Sequence, residues 1–128
     1  MISRINEMKA HLKEIKHINA ILTKKNGKIS MGGWLCQEIL KNDQVQMFFC
    51  DAISLAPAPP HKHDNISEHV VVVNGEGVIV MTEGKEIKVE KLGSITIAPN
   101  AVHAVVPLST GTQVITLLIP PDPNFDMG

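Results

Sequence analysis

The first segment of the chain, residues 2–24, has apolar side chains at alternating steps of three and four residues. These side chains are Ile5, Met8, Leu12, Ile15 and Leu22. The spacing predicts an amphipathic α-helix with Asn19 as the polar position of its apolar face, Ser3 as N-cap and Asn26-Gly27 as stop signal. The apolar face must be buried, either against the following domain or against the same helix of a second subunit, and the pattern leaves both open.

From Ile29 onward the pattern changes to short runs rich in Val, Ile and Thr that are separated by turn residues. The turn signals recur about every 8–12 residues, which is typical of an all-β sandwich or barrel. The predicted strands are 34–40, 44–55, 61–64, 68–74, 77–82, 85–91, 94–98, 102–107 and 112–119. The last segment carries three prolines and no periodicity, so it predicts an extended arm.

These patterns divide the chain into three parts. Residues 1–28 are predicted to form the N-terminal amphipathic helix, residues 29–119 a β-barrel domain, and residues 120–128 an extended C-terminal tail. A chain of 128 residues fits one domain of this kind and can bury a core without disulfides. Its predicted interior is mainly apolar and comprises Val70, Val72, Ile79, Met81, Ile97, Val105 and Ile115 or Leu117.

Charge and composition limit the classes of binding partner that the sequence supports. The net charge is −1, which gives no electrostatic case for nucleic acid, and the longest apolar runs are too short for a membrane span. Aromatic residues make up 3% of the chain, so stacking surfaces for sugars or bases are scarce. Only Cys36 and Cys50 are present, and no secretory signal is recognisable, so we expect reduced cysteines in a cytoplasmic protein.

Four side chains are candidates for metal ligation. In an extended strand His61 and His63 share one face, because alternate side chains point the same way. Glu68 opens the apolar run of the next strand, where a buried carboxylate is costly unless a cation or hydrogen bonds compensate it. His103 follows the Pro99-Asn100 turn on a third segment. Three imidazoles and one carboxylate form a plausible ligand set for a divalent transition metal.

A less specific interpretation of each residue exists. An isolated His-x-His pair is common on protein surfaces, Glu68 alone could lie at the rim of the domain, and His103 alone could be an ordinary core histidine. Their joint occurrence with turn glycines favours the metal site. His69 should point to the opposite face from Glu68 and is predicted not to be a ligand. The remaining two histidines lie on the predicted helix and should be solvated.

The chain resembles a small single-domain cupin. The first cupin motif, G-x5-H-x-H-x3/4-E-x6-G, is matched by His61, His63, Glu68 and Gly75 at permitted spacing, with Leu55 in place of the leading glycine. The resemblance covers about residues 35–119 and leaves out the N-terminal helix.

The second motif, G-x5-P-x-G-x2-H-x3-N, is matched only in part. Gly93 and Pro99 fit, Asn100 or Ala101 stands where the inner glycine is expected, and His103 arrives one residue early. His103 is nevertheless the only histidine available for that position.

The resemblance implies a cupin-like double-stranded β-helix, or jelly-roll barrel, of antiparallel strands. It also implies a divalent metal held by His61, His63, Glu68 and His103, with Fe, Mn, Ni, Zn and Cu all compatible with that ligand set. Such domains commonly form homodimers.

Three functions follow as hypotheses. A three-His, one-Glu shell leaves coordination positions open for a small molecule, as in a metal-dependent enzyme. An oxygenase is favoured over an isomerase for two reasons. Few polar groups remain for proton transfer, and no arginine lies near to bind phosphate. Only lysines such as Lys62, Lys85, Lys88 and Lys91 could supply a cation. The polar candidates are Gln46, Ser54, Thr96, Gln113 and Thr116. A non-catalytic binding or sensory cupin, or a structural dimer with a vestigial site, remains the alternative.

Overall fold

A computed structural model describes residues 21–125 of the chain, and this part is nearly all β. Its single 3₁₀ helix, Pro123–Phe125, lies close to the end of the described part. Its strands are β1 (Leu22–Lys25), β2 (Lys28–Met31), β3 (Trp34–Lys41), β4 (Gln46–Ala52), β5 (Ala58–His61), β6 (Ser67–Asn74), β7 (Val78–Thr82), β8 (Lys85–Val89), β9 (Ser94–Ile97), β10 (His103–Pro107) and β11 (Gln113–Ile119).

The strands form two antiparallel sheets. The larger sheet has the order β1-β2-β3-β4-β11-β6-β9, and the smaller has the order β5-β10-β7-β8. One apolar cluster combines buried residues of both sheets, for example Phe48 and Val72 from the larger and Val80 from the smaller. The indole of Trp34 on β3 also donates a hydrogen bond to the carbonyl oxygen of Val105 on β10 (3.2 Å). The core therefore lies between the sheets, and the predicted all-β jelly-roll architecture is confirmed.

The beginning of the sheet corrects the sequence prediction. Residues 22–24, predicted as the end of a helix, belong to strand β1, which pairs with β2. Asn26 and Gly27 have φ values of 55° and 74°. These are the left-handed conformations that a two-residue hairpin turn requires. The Asn-Gly pair is thus a hairpin turn and not a helix stop. The rest of the predicted helix lies outside the described residues.

Strand β5 also differs from its prediction. A strand was predicted at residues 61–64, but β5 ends at His61 and includes Pro59 and Pro60. Prolines lack a backbone donor and are tolerated here because β5 is an edge strand. The register between β5 and β10 shifts next to these prolines.

The inward faces of two strands were predicted wrongly. On β7 the side chains in the main core are Val78 and Val80, whereas Ile79 and Met81 pack in a separate cluster with Ala104 and Val106. On β11 the buried positions are Val114 and Leu118, and not Ile115 or Leu117. The reason is register: residues directly opposite each other in a ladder share a face. Val80 pairs with Val105, and Leu118 pairs with Glu68.

The C-terminal tail is not an extended arm as far as the structure describes it. Asp122 and Phe125 are both buried, and the 3₁₀ helix between them folds back onto the sheets. Phe125 packs on Phe48 with ring centroids 5.6 Å apart. The two rings meet edge-to-face, one of the arrangements that aromatic pairs prefer. Within residues 21–125, no helix is long and apolar enough to cross a membrane.

Candidate metal centre

The smaller sheet and its adjoining loop position the three histidines. His61 ends β5, His103 begins β10, and the two are direct partners in the ladder with ring centroids 4.3 Å apart. His63 lies in the loop after β5. That loop is tied to the loop before β10, because Asn100 N donates to the His63 carbonyl oxygen (3.2 Å) and Asn65 N donates to Asn100 Oδ1 (3.0 Å).

Asn100 explains how the shortened second motif still places His103. Its backbone φ is 66°. This is the left-handed conformation for which glycine is the usual residue. Asparagine is among the few other residues that adopt this conformation readily, because its short side chain makes local hydrogen bonds. Asn100 therefore takes the turn role of the missing glycine.

The larger sheet supplies Glu68. This residue lies on β6 between Ile97 of β9 and Leu118 of β11, and it faces inward with Val70. His69 is on the opposite face of β6, where its Nδ1 contacts Thr96 Oγ1 at 2.9 Å. The strand alternation thus separates Glu68 from His69 as predicted.

The two sheets bring the four predicted ligands together. One ligand atom from each of His61, His63, Glu68 and His103 lies within 4.8 Å of the others, and all four residues are buried. Glu68 Oε1 is 2.8 Å from His63 Nε2 and 3.2 Å from His103 Nε2. Sequence and structure therefore agree on which side chains make the cluster.

Each histidine has its Nδ1 hydrogen bonded to an oxygen outside the cluster. The acceptors are the carbonyl oxygens of Pro59 for His61 (2.7 Å) and Ala101 for His103 (3.0 Å), and Asp122 Oδ2 for His63 (2.6 Å). Carbonyl and carboxylate oxygens only accept hydrogen bonds, so each Nδ1 carries the hydrogen. This arrangement orients the three Nε2 atoms towards the centre of the cluster, as is usual for histidines that bind a metal.

The electrostatic surroundings shift the pKa values of His61 and His63 in opposite directions. Burial opposes a charge on His63, but hydrogen bonds to Asp122 and Glu68 outweigh that cost and raise its pKa to about 9. Burial, followed by the neighbouring His103, lowers the pKa of His61 to about 3. The metal-free protein therefore holds His63 as a cation between two carboxylates and His61 as a neutral ring.

The histidines in turn lower the pKa values of the two carboxylates. Burial favours the neutral form of Glu68, but His103 and His63 overcome that effect and hold its pKa well below the usual range. Burial is likewise outweighed at Asp122, whose pKa is lowered mainly by its hydrogen bond to His63. Both carboxylates are therefore anionic at neutral pH.

The donor set fits a divalent transition metal. His103 Nε2 is buried and has no assigned hydrogen-bond partner, although Glu68 Oε1 lies 3.2 Å from it. An unsatisfied buried nitrogen costs free energy, and a metal ion would remove that cost. Imidazole nitrogens with one carboxylate oxygen suit Fe, Mn, Ni, Zn or Cu, so the residues could hold any of these ions.

Asp122 was missed by the sequence analysis. It lies 59 residues from His63 in the chain, in the tail that was predicted to be an extended arm. The only local signal was Phe125, a large apolar side chain in an otherwise proline-rich and polar segment, which indicates docking.

The other predicted polar candidates are mostly not in the site. Thr116 lines the cavity beside the cluster, and Gln46 is buried against the tail. The remaining three bond elsewhere: Ser54 to Ala56 N, Thr96 to His69 and Gln113 to Asp51.

A cavity of about 60 Å³, measured as the volume open to the centres of water molecules, adjoins the cluster. It is large enough for several waters or one small molecule. His61, His63 and Glu68 form its polar end, and no lysine or arginine is among its described lining residues. The other lining side chains are Ile29, Met31, Trp34, Cys36, Phe48, Cys50, Ala58, Val70, Val105, Val114, Thr116 and Phe125.

No protein-family model matches this sequence, and no curated protein sequence matches it. Several solved structures, in contrast, are similar to this chain. KdgF from a Halomonas species has a TM-score of 0.68 at 19% identity, covering 73% of this chain and 84% of that chain. An RmlC-like cupin from Shewanella frigidimarina has a TM-score of 0.67 at 22% identity, covering 80% and 86%.

A third solved structure, titled a predicted oxalate decarboxylase from Thermotoga maritima, has a TM-score of 0.64 at 16% identity and covers 80% of this chain and 96% of that chain. Identities this low establish the fold alone. The two-sheet architecture and these neighbours agree with each other, and the buried His-His-Glu-His group fits a metal-binding cupin. The chain is therefore a small domain with the cupin fold.

Proposed function

We propose that His61, His63, Glu68 and His103 hold a divalent transition metal, and that the adjoining cavity takes a small, weakly polar molecule. The observation that carries this proposal is the convergence of three Nε2 atoms and one carboxylate within 4.8 Å, with every Nδ1 already bonded elsewhere. When bound, the metal supplies Lewis-acid or redox chemistry at its open coordination positions.

The cavity favours a neutral ligand. Its described walls are mainly aliphatic and aromatic and contain no lysine or arginine. Lys62 and Lys88, named above as possible cations, instead form exposed ion pairs with Asp64 and Glu90. A phosphorylated sugar or a dicarboxylate would have no lysine or arginine to offset the charge that the metal leaves uncompensated, so these classes fit poorly.

Oxygenase chemistry is the reaction class that the site supports best. Isomerisation needs a side chain that moves protons, and beyond the four ligands the cavity offers only the Thr116 hydroxyl and the thiols of Cys36 and Cys50. Burial raises the pKa of Cys50, so this thiol stays protonated at neutral pH. Oxygenase chemistry places the least demand on such groups, because the metal itself supplies the reactivity.

Because the cavity offers few groups for proton transfer, a second candidate is also favoured. It is a non-catalytic cupin that binds or senses a small molecule. A structural dimer with a vestigial site is the third. In the proposed setting the protein is a cytoplasmic homodimer, where its free cysteines remain reduced.

Elemental analysis of the protein purified without chelators, combined with anomalous scattering from crystals, tests the metal site. We expect one transition metal per chain at the four residues and its loss in His61→Ala. A metal-free native protein, or a metal whose position excludes His103, would contradict the proposal.

Turnover separates the first two candidates. An oxygenase should consume O2 with a small neutral substrate, and this activity should follow one particular metal and disappear in His61→Ala while the fold is retained. A sensor should instead show ligand-dependent thermal stabilisation without consumption of O2.

A further inference from the structure

The last described segment, residues 120–125, is called the C-terminal latch below. Its Asp122 carboxylate is 2% exposed, and its Oδ2 atom accepts a 2.6 Å hydrogen bond from His63 Nδ1. Its Oδ1 atom accepts hydrogen bonds from the backbone N (2.8 Å) and Nδ2 (3.1 Å) of Asn124. Both oxygens are therefore occupied, and the carboxylate has a single orientation against the histidine.

Gln46 at the start of β4 holds the latch in place. Its amide is fully buried, with Oε1 accepting from Asp122 N (3.1 Å) and Nε2 donating to the Phe125 carbonyl oxygen (2.9 Å). Nε2 also donates to Glu38 Oε2 (2.9 Å). Undocking the latch would leave this buried amide without two of its partners, which is costly.

Phe125 joins the latch to the cavity. Its ring packs edge-to-face on the His63 ring, with centroids 5.4 Å apart and an interplanar angle of 86°. It also lines the cavity wall next to the cluster. One short segment thus contacts His63 twice, through a carboxylate at Nδ1 and through an aromatic ring at its side.

We propose that the latch is part of the metal centre, and that Asp122 is the positioning residue that holds His63 with Nε2 towards the other ligands. Gln46 acts one step further out by fixing Asp122. This inference rests on the proposed metal site. Acceptors of this kind typically change metal affinity roughly 10–100-fold when they are removed. Because coupling between binding events is reciprocal, metal binding should also stabilise the docked latch.

The first test is the Zn²⁺ dissociation constant of the full chain, measured by competition with a chromogenic chelator well below the melting temperature. We expect Asp122→Ala to weaken Zn²⁺ binding roughly 10–100-fold. Asp122→Asn should be intermediate, because one amide oxygen can serve only one of the two donor groups. Gln46→Ala should also weaken Zn²⁺ binding, although it touches no ligand.

Asp51→Asn is the matched control. Asp51 is also a partly enclosed carboxylate that accepts a side-chain hydrogen bond, from Gln113 Nε2 at 2.7 Å, but it lies outside the cluster. Its Zn²⁺ affinity should equal that of the wild type.

The outcomes separate the two proposals. If the wild type binds no Zn²⁺, or His61→Ala binds it equally well, the metal site itself is wrong and the latch inference fails with it. If His61→Ala loses Zn²⁺ but the Asp122 and Gln46 variants lower only the metal-free melting temperature, the latch is merely structural and the inference is overturned alone. If Asp122→Ala does not fold, Asp122→Asn decides.

A second test uses only the wild type. Amide hydrogen exchange of residues 122–125 should slow when Zn²⁺ is added, because the backbone N atoms of Asp122, Asn124 and Phe125 all donate within the docked latch. Leu108 and Gly111 donate their backbone N–H groups to the carbonyl oxygens of Gly77 and Ala52 beyond the opposite end of β10 from His103, and they should exchange unchanged. Equal exchange of the latch with and without Zn²⁺ contradicts the coupling.

Discussion

The imidazoles of the cluster differ in their hydrogen-bond partners and in their charge. His103 keeps a buried Nε2 without a partner, whereas His63 is held as a cation between Glu68 and Asp122. The candidate ligands were predictable at this scale from their spacing, although His63 lies in the loop after β5 and not in the predicted strand. The protonation of His63 was not predictable, because it depends on Asp122, a residue from the far end of the chain.

Replacing His103 should remove metal binding and also weaken the metal-free fold. His103→Leu keeps a side chain of similar size, but it removes the Nδ1 hydrogen bond to the Ala101 carbonyl oxygen and one of the groups that stabilise the buried Glu68 carboxylate, so the metal-free melting temperature should fall. The wild type should gain about 2.7 kcal/mol from metal at one hundred times its dissociation constant. Thermal melts with and without Zn²⁺ should show this gain lost in His103→Leu and kept in His69→Ala, the outward-facing control.

The pKa of His63 predicts how the metal-free protein responds to alkaline pH. Because its pKa is raised from about 6.5 to about 9, the stabilisation is fully present below pH 6.5 and is lost as pH rises through about 9. The free energy of unfolding in chelator should therefore fall by on the order of 1–3 kcal/mol between pH 7 and pH 10.

Urea titrations across this range provide the measurement. His63→Leu is the control and should lack this part of the decline, while the contribution of Cys50, whose raised pKa also lowers stability in alkali, remains. A wild type that gains stability above pH 8 relative to His63→Leu would contradict the assignment.

At the scale of elements, register decides which side chains reach the core. On β11 the sequence pattern favours Ile115 and Leu117 as interior residues, since they are more apolar than Thr116. The ladder nevertheless pairs Thr116 with Val70 and Leu118 with Glu68, and opposite residues share a face. A strand that is apolar on both faces carries no local signal of which face turns inward, so this choice could not be predicted from β11 alone.

Two turn glycines, Gly75 between the two sheets and Gly84 in the β7–β8 hairpin, allow a matched test of packing. Gly75 and Gly84 both have positive φ, 89° and 74°, but a Cβ on Gly75 would lie 2.6 Å from Thr112 Cα, whereas one on Gly84 would meet nothing within 4 Å. Gly84→Ala should cost about 1–2 kcal/mol from backbone strain alone. Gly75→Ala should cost about 1–3 kcal/mol more because of the clash. Chemical denaturation of both variants checks this, and equal losses would refute the steric part.

At the scale of the whole molecule, the site exists only where the two sheets meet. The larger sheet supplies Glu68, the smaller supplies His61 and His103, and the loop after β5 supplies His63. The described tail completes the arrangement by placing Asp122 behind His63. Metal binding should therefore stabilise the contact between sheets, and not one strand in isolation.

The homodimer implied by the cupin resemblance stays a prediction. Light scattering coupled to size exclusion should give a mass twice the 14.0 kDa of one chain. A mass of 14.0 kDa across the accessible concentration range would rule out the dimer.

Local chemistry accounts for what the sequence by itself determined: the alternation that makes strands, the all-β class, and the spacing of His61, His63, Glu68 and His103. These features depend on neighbours a few residues apart or on turn residues with restricted φ. The Asn26-Gly27 hairpin is also local, and its turn residues indicate it. The tertiary structure alone decided the inward faces of β7 and β11 and the use of Gln46 and Asp122. The physical reason is that these features arise from ladder register and from hydrogen bonds between residues as far as 79 positions apart, which no local pattern encodes.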